Sequence, residues 1–179
     1  TLYTYNLKLF DPTWFRPGAA PPIRPLRAQA RAHKNHKLRT ASQAYAAFLE
    51  KGGEVRLRDL SSALIREHLD EGQPIITGLS ATYLYREPRE SGEPAVADPV
   101  RGDPTGHFVV LCGYDRKARA VWVADPLRKG AETCRAVYPV GVERLLCSIL
   151  LGTSTYDGNL LVIQPRQTAA GGGGAGRRR

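Results

Sequence analysis

Methionine is absent from the 179-residue chain, cysteine occurs only three times, and no apolar run approaches a membrane span. A spanning helix needs roughly 18 uninterrupted apolar residues, so anchoring of that kind is excluded. Translation normally starts with methionine, and its absence leads us to expect a processed product or a fragment. The N-terminus, Thr1-Leu2-Tyr3-Thr4-Tyr5, lacks a basic stretch followed by an apolar one, so no secretory signal is read there. Cys112, Cys134 and Cys147 are odd in number and form no CxxC pair. That usage fits reduced thiols in a cytoplasmic protein rather than a disulfide framework. His33 and His36 lie three apart, but nothing nearby completes a zinc site. Neither a metal nor a cofactor is expected.

Acidic residues are missing from positions 16–39, where Arg16, Arg24, Arg27, Arg31, Lys34, Lys37 and Arg39 stand unopposed. With Arg177, Arg178 and Arg179 they account for the net charge of +9, and residues 40–176 are near neutral. Such a segment can attract polyanions. No RNA- or DNA-reading motif accompanies it, so a solvated helix face is the favoured reading and nucleic acid is not an expected partner.

Along the chain, the alternation in residues 1–9 reads as a strand, and Asp11-Pro12 opens a turn carrying Trp14 and Phe15. Four prolines make residues 16–25 an extended loop. A polar helix is expected over Leu26–Lys37. A second should start at the capping-box pattern Thr40-Ala41-Ser42-Gln43 and stop at Gly52-Gly53. A short strand at Val55–Leu57 precedes a helix after Ser61, and Pro74–Leu79 reads as a buried strand. Residues 86–105 form a long loop. Phe108–Tyr114 and Ala120–Ala124 flank a turn as a β-hairpin. A strand at Val137–Val140, a helix at Val142–Leu151 and a strand at Leu160–Ile163 complete the order. Helices come first and hairpin strands later, which predicts an α+β fold with an antiparallel sheet. Residues 1–167 are expected to be one domain, and residues 168–179 a disordered Gly/Arg-rich tail.

Chemistry concentrates at the hairpin. His107 stands at the mouth of an apolar strand, and Asp125 at the far end of its partner. If Tyr114 pairs with Ala118, His107 faces Asp125 directly. If Tyr114 pairs with Ala120, Asp125 becomes the diagonal neighbour on the same face. Either arrangement leaves the two about 4.5–8 Å apart, within reach of the hydrogen bond that orients a general base. The blander possibility is a sheet-edge histidine beside an acid satisfied by its own turn, because Asp before Pro is a common turn element.

The segments His107-Phe108-Val109-Val110-Leu111, Gly113-Tyr114-Asp115 and Trp122-Val123-Ala124-Asp125-Pro126 together resemble papain-like cysteine peptidases. More narrowly, they are similar to the bacteriocin-processing peptidase-like group, cysteine peptidase family thirty-nine. Tyr3–Leu7, Phe10–Phe15, Thr77–Tyr85 and Thr155–Leu161 look like a bacterial branch of it. The resemblance implies a papain-like fold with N-terminal helices packed on an antiparallel sheet. It also implies a peptide or protein substrate, His107 as general base and Asp125 as its orienting partner. The family's nucleophilic cysteine precedes the histidine at a helix start followed by Gly-Pro, with an oxyanion-hole glutamine just before it. Residues 1–106 contain no cysteine. Cys112 lies five residues beyond His107 on the same strand, about 16 Å away and on the opposite face. It and Cys147 are expected to be buried core thiols. The nucleophile is therefore expected upstream of Thr1. The alternative is a non-catalytic pseudopeptidase that binds peptides.

Overall fold

A computed structural model describes residues 1–127, 137–152 and 158–164. The order of elements is β1 (Leu2–Thr4), α1 (Ile23–Ala32), α2 (His36–Glu50), β2 (Val55–Arg56), α3 (Ser62–Asp70), β3 (Ile75–Ser80) and α4 (Ala81–Tyr85). It continues with β4 (Glu90–Ser91), β5 (Val96–Ala97), β6 (Gly106–Asp115), β7 (Ala120–Ala124), β8 (Val137–Gly141), α5 (Val142–Leu151) and β9 (Asn159–Val162). A 3-10 turn, Pro12–Phe15, follows Asp11, whose carboxylate accepts from the Thr13 amide at 2.8 Å.

Seven strands form one sheet in the order β2-β1-β9-β3-β6-β7-β8, and β4 and β5 pair separately. Among the described residues only β1 and β2 run parallel; the other strand pairings are antiparallel. The fold is α+β, as the order of sequence signals implies. Alternation decides what each face meets. Ile75, Thr77 and Leu79 of β3 and Val109 and Leu111 of β6 are buried, while Phe108, on the other face beside Val109, is 54% exposed. The buried face carries α3 and α5 through Leu64, Ile65, Val142, Leu145 and Ile149. Leu2 points away from Tyr3 and joins a second cluster, in which Leu9, Phe10, Leu26, Ala46, Leu49 and Val55 fasten the α1–α2 pair over β1 and β2.

The N-terminal helices differ from the sequence expectation. The first spans Ile23–Ala32, so Pro25 falls inside its first turn, where an amide hydrogen has no helical partner to lose. The second starts at His36, because the Asn35 side chain accepts from the Leu38 amide at 3.1 Å. Thr40–Gln43 is therefore helix interior, and Ser42 turns its hydroxyl back onto the Leu38 carbonyl at 2.7 Å. The stretch 86–105 is not wholly loop, since it holds the β4–β5 pair. The expected tail at 168–179, Cys134 and residues 155–157 of the quoted Thr155–Leu161 segment lie outside the described residues.

Candidate active site

The site forms where the sheet meets α4. Ser80 caps α4 by accepting from the Tyr83 amide at 3.3 Å. The Ala81 amide donates to the Thr105 carbonyl at 2.8 Å, and the Thr105 amide to the Thr82 hydroxyl at 2.8 Å. These bonds lock the start of α4 to the start of β6. Tyr85, one turn further along, lies beside the His107 ring with centroids 6.4 Å apart. His107 opposes Leu79 of β3. Behind Leu79 stands Gly152 at the end of α5, where any Cβ would fall 2.8 Å from the Leu79 Cα.

A bulge brings Asp125 to His107. At the turn Asp115 pairs with Ala120 and Tyr114 with Val121, neither of the expected pairings. Continued unchanged, that register would set Asp125 opposite Val110, three residues from His107, and the two would lie on opposite faces. Cys112 is the extra residue between Leu111 and Gly113, and beyond it Leu111 pairs with Val123 and Val110 with Ala124. Extended by one residue, the new register sets Asp125 opposite Val109, diagonal to His107 on the inner face. The diagonal arrangement is thus reached by a route the sequence reading did not contain.

The Asp125 side chain is fully buried and the His107 side chain is 12% exposed. His107 Nε2 lies 2.9 Å from Asp125 Oδ1, which also accepts from the Leu127 amide at 3.0 Å. On Oδ2 the carboxylate accepts from the Tyr85 hydroxyl at 2.5 Å and the Tyr138 hydroxyl at 2.7 Å. Burial pushes the Asp125 carboxyl up, but the four donors outweigh it and hold its pKa down to about 2. Burial, and then the bond to Asp125, push the Tyr85 phenol up, so it remains a donor. An ionised carboxylate only accepts, which requires Nε2 to carry the proton. The basic lone pair of neutral His107 is therefore on Nδ1, which makes no hydrogen bond to a described residue. A fixed tautomer with its free nitrogen at a partly open position is what a general base requires.

Both sequence-predicted site residues meet here, and the turn reading of Asp125 is realised as well, through the Leu127 amide. Tyr85 and Tyr138 were not singled out from sequence. Tyr138 opposes Val123, so strand parity could have placed it beside Asp125 had the β7–β8 pairing been known. The expected burial of Cys112 and Cys147 is corrected: both are exposed. Cys112 is turned out by the bulge, its thiol 3.4 Å from the Trp122 carbonyl. Cys147 lies on the outward side of α5, away from Leu145 and Ile149. His68, by contrast, is a structural histidine, buried and held between Tyr3 and Gln73.

The family model described as the Peptidase_C39 like family matches residues 25–144, and the chain belongs to that family. Its similarity to solved structures includes a protein from Bacillus anthracis described as a C39-like peptidase, at 19% identity and a TM-score of 0.35. That alignment covers 59% of this chain and 48% of the other, so the chain spans about half that protein's length. The comparison with curated proteins gives no match. Among the described residues no helix is long and apolar enough to cross a membrane, and no group of three or more His, Cys, Asp or Glu is placed to hold a metal.

Proposed function

We propose that residues 1–167 form a cytoplasmic peptidase-like domain that supplies the base half of a thiol-peptidase centre. In this reading His107 Nδ1 takes the proton from a thiol, and the thiolate attacks the carbonyl of a peptide bond. Asp125 holds the His107 tautomer and stabilises the imidazolium that forms. The observation that carries the reading is the 2.9 Å contact from His107 Nε2 to a buried carboxylate that two tyrosines keep ionised. The papain-like resemblance and membership of the Peptidase_C39 like family support it. Following the resemblance, we place the nucleophile upstream of Thr1.

A second reading, a pseudopeptidase that binds peptides without cutting them, is favoured by the positions of the described cysteines. Cys112 is on the outer face, and neither it nor Cys147 contacts His107.

Peptide hydrolysis by the full natural chain separates the two. The enzyme reading expects His107→Ala to remove about 1000-fold or more of the rate. Asp125→Asn should cost roughly 10- to 1000-fold, because a neutral amide stabilises the imidazolium less than the carboxylate does. Hydrolysis indifferent to His107 would overturn the enzyme reading, and binding without hydrolysis would establish the second.

A further inference from the structure

A cavity that shares residues with the site lies behind the two tyrosines, between α4 and the start of α5. Its volume is about 560 Å³, within the range of small-ligand pockets. Tyr85 and Tyr138 line it, so one wall is the pair of rings whose hydroxyls hold Asp125. Pro139 and Val140 supply apolar wall, and Cys147 opens into it.

Its charge is unbalanced. Glu143 at the rim already pairs with Arg119 at 2.5 Å. Arg86 and Arg144 also line the cavity, and neither guanidinium makes an ion pair with a described residue. Arg86 closes α4 in the left-handed region at φ 58°, which turns the chain at the cavity edge. Two unopposed guanidiniums beside an aromatic wall are matched by a planar anion on an apolar stem.

We propose that this cavity is a binding pocket for a carboxylate carried on a peptide side chain, a glutamate or aspartate of the peptide that the site handles. This rests on the peptide-binding reading above, common to both of its forms. It makes the pocket a determinant of specificity: a peptide reaching from His107 around the tyrosine pair would be selected for an acidic residue.

Cys147 reports on the pocket directly, and Cys112 on the outer face is an internal control. The intact protein is alkylated with iodoacetate, an anion, and with neutral iodoacetamide, and peptide mapping follows each cysteine separately. The ratio of the two rates cancels each thiol's own reactivity. Two nearby positive charges should raise that ratio at Cys147 over Cys112 by roughly threefold or more. Arg144→Gln should lower it toward the Cys112 value, as should Arg86→Gly, a replacement suited to the left-handed backbone. A capped Gly-Glu-Phe tripeptide should slow alkylation of Cys147, while its Gln counterpart and free glutarate at equal concentration should not.

Equal ratios at the two cysteines, or ratios untouched by both arginine variants, would overturn the anion pocket. Protection by glutarate as strong as by the tripeptide would overturn the peptide source. None of these readouts depends on hydrolysis, so an inactive protein with a charge-selective Cys147 would count against the enzyme reading alone.

Discussion

Asp125 is the residue on which the site turns. A buried carboxylate without donors would take up a proton, and this one is kept charged by Tyr85, Tyr138, His107 and the Leu127 amide. Its carboxyl is held below the usual 3.8, at about 2, so the folded state binds this proton less readily than the unfolded chain. The resulting stability, about 2.5 kcal/mol, is fully present above pH 4 and drains away as the pH falls through 2. Tyr138→Phe removes one donor and lets the carboxyl rise toward its ordinary value. Denaturant unfolding of the two proteins between pH 4 and pH 2 should then show a smaller loss in the variant, by about 1 kcal/mol. Asp11, Glu54, Glu67 and Asp98 are also lowered, but they titrate alike in both proteins and cancel in the difference. Identical acid profiles would mean that Tyr138 does not hold the charge. The pair His107 and Asp125 was legible because both flank one hairpin. The tyrosines were not, because nothing local ties residues 85 and 138 to residue 125.

Among the elements, the β6–β7 hairpin decides whether the pair can form. Period-two reading assumes an unbroken ladder, and one extra residue reverses every side chain beyond it. The turn register and the site register differ by that one residue, Cys112. Deleting Cys112 should leave a regular ladder, with Leu111 still opposite Val123 and the next residue opposite Trp122. The contact between His107 and Asp125 survives, at a cost within about 2 kcal/mol. Deleting Ala124 instead moves Asp125 one place along and turns it to the outer face, and the contact is lost. Nuclear magnetic resonance of the His107 ring proton distinguishes the two, and loss of the contact in the Cys112 deletion would refute the assignment of the bulge. Elsewhere, strong local signals carried through: α5 spans Val142–Leu151 as its apolar stripe predicts, and α3 follows Ser61, which accepts from the Leu64 amide at 3.2 Å. The start of α2 was misread because Asn35 and Thr40 are both credible caps. The choice between them depends on how the helix packs through Ala46 and Leu49, which is not a local property.

Over the whole molecule, one core cluster draws residues from α4, β6, β7 and β8 and fixes their positions, while a second fastens α1 and α2 over β1 and β2. The donors that surround Asp125 are drawn from residues 85, 107, 127 and 138, and only the assembled fold brings them together. The antiparallel α+β class was readable from the order of signals. The strand order was not, because β9 enters the sheet between β1 and β3, a pairing across nearly the full chain. Five of the seven basic residues of positions 16–39 sit on α1 and α2, over β1 and β2 and three strands away from β6, and do not enter the site. The central claim is that this fold presents His107 as a base with its free nitrogen at Nδ1. Nitrogen-15 chemical shifts of the His107 ring, recorded at a pH where the imidazole is neutral, test it most directly. The account predicts a protonated Nε2 and an unprotonated Nδ1. A native ring protonated at Nδ1 would contradict it.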